Sequence, residues 1–169
     1  MILFQASEDI WIDAPPERVF GIVANIARHP ELAGSGEVLR VRLLTAGPVG
    51  TGARFEADED IAVMGRRLRF VSTSEVTAFE PARRLAWRSM PPDSMRPRMR
   101  RIEWTFELAP SGGGTRVAHR VVIEPEGGTA AFLFKPMYAW ARGSAVRRGM
   151  RRTLANLRRT AEGAASAAA

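Results

Sequence analysis

Between Phe4 and Pro125 hydrophobic residues recur mostly at every second position, and from Thr129 onward at spacings of three and four. The first period is that of half-buried strands and the second that of an amphipathic helix. Ile10 and Ile12 alternate with polar or amphipathic neighbours over Phe4 to Asp13, a strand that stops at Ala14-Pro15-Pro16. Pro15, Pro16 and Glu17 suit the first turn of a helix, because proline needs no N–H partner there and the acid complements the helix dipole. Val19, Phe20 and Val23 form its apolar stripe. The helix is expected to run to about Ala27, where Arg28-His29-Pro30-Glu31 breaks it before a short second turn to Ala33.

Six further stretches alternate and are separated by turn chemistry, so they read as an antiparallel meander. Leu39, Val41 and Leu43 share one face, opposed by Arg40 and Arg42. Phe55, Ala57, Glu59, Ile61 and Val63 follow, opposed by Arg54, Glu56, Asp58 and Asp60. Leu68, Phe70, Ser72, Ser74 and Val76 come next, then Leu85, Trp87 and Ser89 in a shorter strand. Arg98 to Leu108 carries Ile102, Trp104, Phe106 and Leu108 on one face, and Thr115 to Pro125 carries Val117, His119, Val121 and Ile123. After an expected break at Lys135-Pro136, a helix from Met137 to about Glu162 bears Val146, Met150, Leu154, Leu157 and Ala161 on one face. The expected architecture is therefore α+β: a curved seven-stranded antiparallel sheet wrapped around a long C-terminal helix, with two short helices after the first strand. Residues 1–162 form one domain and 163–169 a disordered tail.

Composition narrows the function. The 46% hydrophobic and 25% charged content of the 169 residues is that of a globular domain, which leaves a disordered chain or a membrane protein without support. No apolar run approaches the ~20 residues a bilayer crossing needs, and Met1-Ile2-Leu3-Phe4-Gln5 lacks a basic signal start, so a cytoplasmic protein is expected. With no cysteine and two histidines, no metal site is expected, and no cofactor motif occurs. Gly47 to Gly52 precedes a strand rather than a helix, which makes it a hairpin turn and not a nucleotide loop. The net charge of +7 is almost wholly arginine; nucleic acid is not the expected partner. Arg147, Arg148, Arg151, Arg152, Arg158 and Arg159 on the last helix are compatible with peripheral contact to an anionic membrane, or with an ordinary solvated face. Oligomeric state is not encoded in these patterns.

The apolar sheet face carries Glu59, Ser72, Ser74, Ser89 and His119, and a dry core tolerates a buried carboxylate poorly. Interior space or water access resolves the conflict. Glu59 is then a candidate general base or polar anchor whose pKa burial would raise, unless a one-residue register slip leaves it solvated. His119 is a candidate to orient a ligand carbonyl or move a proton, or else a hydrogen-bonded structural histidine. Arg98 and Arg100 share the parity of Ile102 and Trp104, which makes Arg100 a candidate for stabilising an enolate, unless the strand begins later. His29, in the helix-breaking turn, is given a structural or surface role. Candidate lining residues are Phe55, Phe70, Ser72, Trp87, Trp104, Phe106, Val117, Val121 and Met150, with Tyr138 and Trp140 near the entrance; plain core packing accounts for the aromatics almost as well.

The element order, together with Ile10-Trp11-Ile12-Asp13-Ala14-Pro15-Pro16-Glu17-Arg18-Val19-Phe20, Ile26-Ala27-Arg28-His29-Pro30-Glu31, Gly50-Thr51-Gly52 and Thr153-Leu154-Ala155-Asn156-Leu157, resembles the helix-grip domains of the START and polyketide cyclase/dehydrase superfamily over about residues 4 to 162. The resemblance implies a cavity between sheet and helix for a lipid, polyketide, quinone or other apolar small molecule. It implies no single activity, because members include carriers, binding modules and enzymes. Two readings follow: a binding or carrier module, and an aromatase/cyclase-like enzyme using Glu59, His119 and an arginine.

Overall fold

A computed structural model describes residues 2–63, 65–90, 92, 101–124, 136 and 139–166. Strand β1 (Phe4–Ile12) leads into helix α1 (Pro16–Ala24), a 3-10 turn (Ile26–Arg28) and helix α2 (His29–Leu32). Strands β2 (Val38–Leu43), β3 (Arg54–Val63), β4 (Arg66–Glu80), β5 (Arg84–Met90), β6 (Arg101–Ser111) and β7 (Gly114–Glu124) follow. A π-helical segment (Ala139–Gly143) then opens the long helix α3 (Ser144–Ser166). The sheet order is β1-β7-β6-β5-β4-β3-β2, all antiparallel, so the meander is closed at one edge by β1 pairing with β7. No described helix is long and apolar enough to cross a membrane.

Local chemistry sets the boundaries. Pro16 sits in the first turn of α1, and Val19, Phe20 and Val23 are its buried stripe. Helix α1 ends at Ala24, earlier than the expected Ala27, and the expected short second turn to Ala33 is α2, where Pro30 falls at a first-turn position and needs no partner. The β6–β7 connection is a two-residue hairpin between Ser111 and Gly114. Gly112 and Gly113 take φ of 57° and 87° there, the left-handed geometry that a tight hairpin requires.

Two bulges revise the predicted faces. One between Val38 and Arg40 leaves Leu39 53% exposed, and Leu43 on the same edge strand is 41% exposed, so β2 does not bury the stripe expected of it. The second, between Val76 and Ala78, switches the parity of β4 so that Phe79 turns inward against Phe20, edge to face at 5.2 Å. Helix α3 ends at Ser166, and Ala161, Ala164 and Ala165 near its end are strong helix formers. Arg98, Arg100, Met137 and Tyr138 lie outside the described residues.

Helix α3 packs on β1, β7 and α1 and divides the interior into two apolar clusters. The larger joins Ile12, Val19, Phe20, Val23, Phe55, Val76, Leu85, Phe106, Leu108, Val117, Leu154 and Leu157. The smaller joins Leu3, Phe4, Ala6, Val121, Ile123 and Met150. Each fully buried side chain of this size contributes about 1.5–3 kcal/mol, so the two clusters supply the main cohesion of the fold. Trp104, packed against both, joins them.

Candidate functional site

Between the clusters a polar band crosses the inner face of the sheet. Along β7 it falls at His119, between Val117 of the larger cluster and Val121 of the smaller. On β4 it falls at Ser72 and Ser74, on β5 at Ser89, and on β3 at Glu59. The β3–β4 register runs without interruption through Phe55↔Ser74, Ala57↔Ser72 and Glu59↔Phe70, so no slip moves Glu59 to the outer face. Phe55, Ala57 and Ile61 on the same face are buried.

Glu59 keeps some surface, but most of its surroundings are protein, and it accepts a hydrogen bond from the Ser72 hydroxyl. Burial holds its carboxyl above the ordinary value; the Ser72 bond and the Arg142 charge pull it down, and Glu37 pushes it up. Ser72 and Ser74 are 2% and 1% exposed, and the Ser74 and Ser89 hydroxyls bond each other at 2.9 Å. The serines therefore satisfy their own polarity inside the fold.

His119 lies flat on Phe106, with ring centroids 4.1 Å apart, and is stacked with Trp104 at 5.5 Å. Trp87 continues the run, 6.0 Å from Phe106 and 6.5 Å from Trp104, and His29 meets Trp87 at 5.2 Å. The Nδ1 of His119 is 3.2 Å from the carbonyl of Thr105. A carbonyl only accepts, so Nδ1 carries the proton and Nε2 the lone pair. In this tautomer His119 accepts from a ligand hydroxyl or takes up a proton, whereas the expected donation to a ligand carbonyl is not available to it. Burial lowers its pKa to about 4, so the ring is neutral near pH 7. His29, with Nε2 donating to the Val23 carbonyl at 2.7 Å and its pKa lowered by burial, is a structural residue and not a surface one.

Sequence reading missed Glu37 and Arg142. Arg142 is buried, and its guanidinium donates to both oxygens of Glu37 at 2.7 and 2.9 Å and to the Ala62 carbonyl at 2.8 Å. Its signal was available: Arg142 stands four residues before Val146 and so continues the inward stripe of the helix. Glu37 carried no such signal, since only the pairing of Val38 with Glu59 brings it beside the band. Of the other predicted lining residues, Val117, Val121 and Met150 are buried in the two clusters, while Phe70 and Trp104 are half-buried beside the band. Trp140 is 78% exposed.

Elsewhere, Asp60 on the outer face is gripped by Arg67 and Arg69 at 2.9 Å each, which holds its carboxyl below the ordinary value. A groove of about 140 Å³ between α1, α2 and α3 is lined by Gly21, Ile22, Asn25, Arg28, Glu31, Leu32 and Thr160. It lies on the opposite side of α1 from the band and is smaller than the ~300–1,000 Å³ of ligand pockets. Arg148, Arg151 and Arg152 form an exposed ridge, while Arg147 and Arg158 pair with Glu8 and Glu162. Among the described residues no group of three or more His, Asp or Glu side chains could hold a metal ion.

An antiparallel sheet in this order, with paired short helices after β1 and a long C-terminal helix against its inner face, defines a helix-grip domain of the START type. Residues 4–162 match the family model described as polyketide cyclase / dehydrase and lipid transport, and the chain belongs to that family. Similar solved structures include the di-domain aromatase/cyclase StfQ of the steffimycin biosynthetic pathway, with TM-score 0.69 and 10% identity over 96% of this chain and 51% of that one. The Zhui aromatase/cyclase from Streptomyces sp. R1128 has TM-score 0.63 and 12% identity, over 92% of this chain and 94% of its own. A START superfamily protein from Mycobacterium smegmatis has TM-score 0.61 and 16% identity, over 92% and 98%. At these identities the likeness is one of fold. No curated protein sequence matches the chain.

Proposed function

We propose that this protein binds a small hydrophobic ligand, such as a lipid, polyketide or quinone, in a cavity between the inner sheet face and the C-terminal helix. The observation that carries this reading is the polar band itself. An interior built only for packing would place aliphatic side chains at Glu59, Ser72, Ser74, Ser89 and His119, because a desolvated carboxyl and imidazole add nothing to cohesion. Aromatic walls with a few convergent polar groups are the usual composition of a small-molecule site. The family description, which joins cyclase/dehydrase and lipid transport, supports the same class of ligand. Native mass spectrometry and thermal shift against lipids, quinones and aromatic polyketides test it. At least one class should bind and raise the melting temperature; failure of every class, with a filled interior, would overturn the reading.

A second reading is favoured by two titratable groups on the inner sheet face, the raised carboxyl of Glu59 on β3 and the neutral, lone-pair-bearing His119 on β7. Either group suits an aromatase/cyclase-like enzyme in which Glu59 or His119 takes a proton from an enolisable carbon and an arginine steadies the enolate. Arg100, outside the described residues, remains the candidate for that arginine by its sequence position. Glu59→Gln and His119→Ala should then each lower turnover of a poly-β-carbonyl substrate by about 100-fold or more while the fold survives. Unchanged turnover in both removes the assignment and leaves the binding module.

A further inference from the structure

The corner where Glu37, Arg142, Glu59 and Ser72 meet, near the β2 edge of the sheet, has an unusual balance of charge for part of a ligand site. Its cation is already engaged: Arg142 gives two bonds to Glu37 and one to the Ala62 carbonyl. The backbone holds Glu37 in place, since its carbonyl accepts from the Asp60 amide at 2.9 Å and its neighbour Val38 pairs with Glu59. Glu37 takes the guanidinium of Arg142, whose charge also acts on Glu59, and the nearby Arg67 is paired with Asp60, so among the described residues the corner carries no excess positive charge. A ligand carboxylate arriving here would lose its hydration without gaining a cation, and would face the Glu59 carboxyl. A neutral oxygen needs one hydrogen bond, and the carboxyl of Glu59 supplies it in either protonation state. Protonated, it donates to a ketone; ionised, it accepts from a hydroxyl.

We propose that this corner is a polar subsite that receives a neutral oxygen of the ligand, a hydroxyl or a ketone, and excludes a carboxylate. The proposal rests on the ligand-binding reading above and names the substrate class within it. Arg142 and Glu37 act as specificity determinants: the ion pair cancels the buried guanidinium charge that would recruit an acid.

The test compares 2-naphthol, 2-acetonaphthone and 2-naphthoate, three probes on the same ring system, binding to the full chain at pH 7 by isothermal titration calorimetry. Wild type should bind the alcohol and the ketone at least about tenfold more tightly than the acid. Glu37→Gln, which removes the carboxylate charge facing Arg142, should narrow that gap to less than about threefold, mainly through tighter binding of naphthoate. Naphthoate binding to wild type as tightly as the neutral probes would overturn the proposal, and this comparison stands even where the variant fails to fold. An unchanged gap in a folded Glu37→Gln would overturn it too. If none of the three probes binds, the ligand-binding reading falls and the subsite with it, an outcome separable from binding without discrimination.

Discussion

Glu59 and His119 are buried against opposite electrostatic penalties, and stability should show it. The folded-state pKa of Glu59 is raised, so ionisation is harder in the folded chain than in the unfolded one. Its contribution is most favourable below the ordinary value of 4.5 and is lost as pH rises through the raised value. Glu59→Gln should therefore stabilise the protein at pH 7 and progressively less toward pH 4.5. His119 is the reverse case, with a pKa lowered from 6.5 to about 4. Its contribution is complete above 6.5 and is lost as pH falls toward 4, a span worth about 3 kcal/mol. His119→Phe, which keeps the stacking on Phe106, should flatten that acid limb. Urea denaturation at pH 7, 5.5 and 4.5 reads both slopes; equal effects at every pH would contradict the burial assigned to the two residues. Alternation alone identified these two as intrusions on the apolar face. The tautomer of His119 was not legible, because it depends on a carbonyl of the neighbouring strand.

Among the elements, the loop between α2 and β2 is held close against α3, and a glycine makes this possible. A Cβ on Gly34 would collide with the Cβ of Arg152 and lie 2.5 Å from the Thr153 amide nitrogen, both on α3. The close approach lets the Gly34 amide donate to the Thr153 hydroxyl at 2.9 Å. Gly34→Ala should destabilise by about 1–3 kcal/mol through forced separation of loop and helix. Gly36→Ala is not an equivalent control, because Gly36 has φ of 67°; Gly50→Ala, with open space around it, is the suitable one. Thermal melts of the two alanine variants separate steric contact from a general loss of glycine, and equal melting temperatures would contradict the packing. The elements themselves were legible wherever alternation was strict, as in β6 and β7. It failed at Leu39 and Phe79, where bulges that depend on cross-strand pairing shift the phase by one residue.

At the scale of the molecule, two apolar clusters grip opposite ends of α3 and a polar, aromatic band lies between them. The scaffold could be read from the chain because periodicity is a local property. The band could be read only in outline, since Glu59, Ser72 and His119 stand out against apolar neighbours while Glu37 and Arg142 enter through contacts 105 residues apart in sequence. The most direct test is isotope-filtered NMR of the labelled protein with unlabelled 2-naphthol, reading intermolecular NOEs by side chain. Cross-peaks from the naphthol ring to Trp104, Phe70 and His119 are predicted; cross-peaks confined to outer-face residues such as Val71, or none at saturating probe, would contradict a ligand site on the inner face.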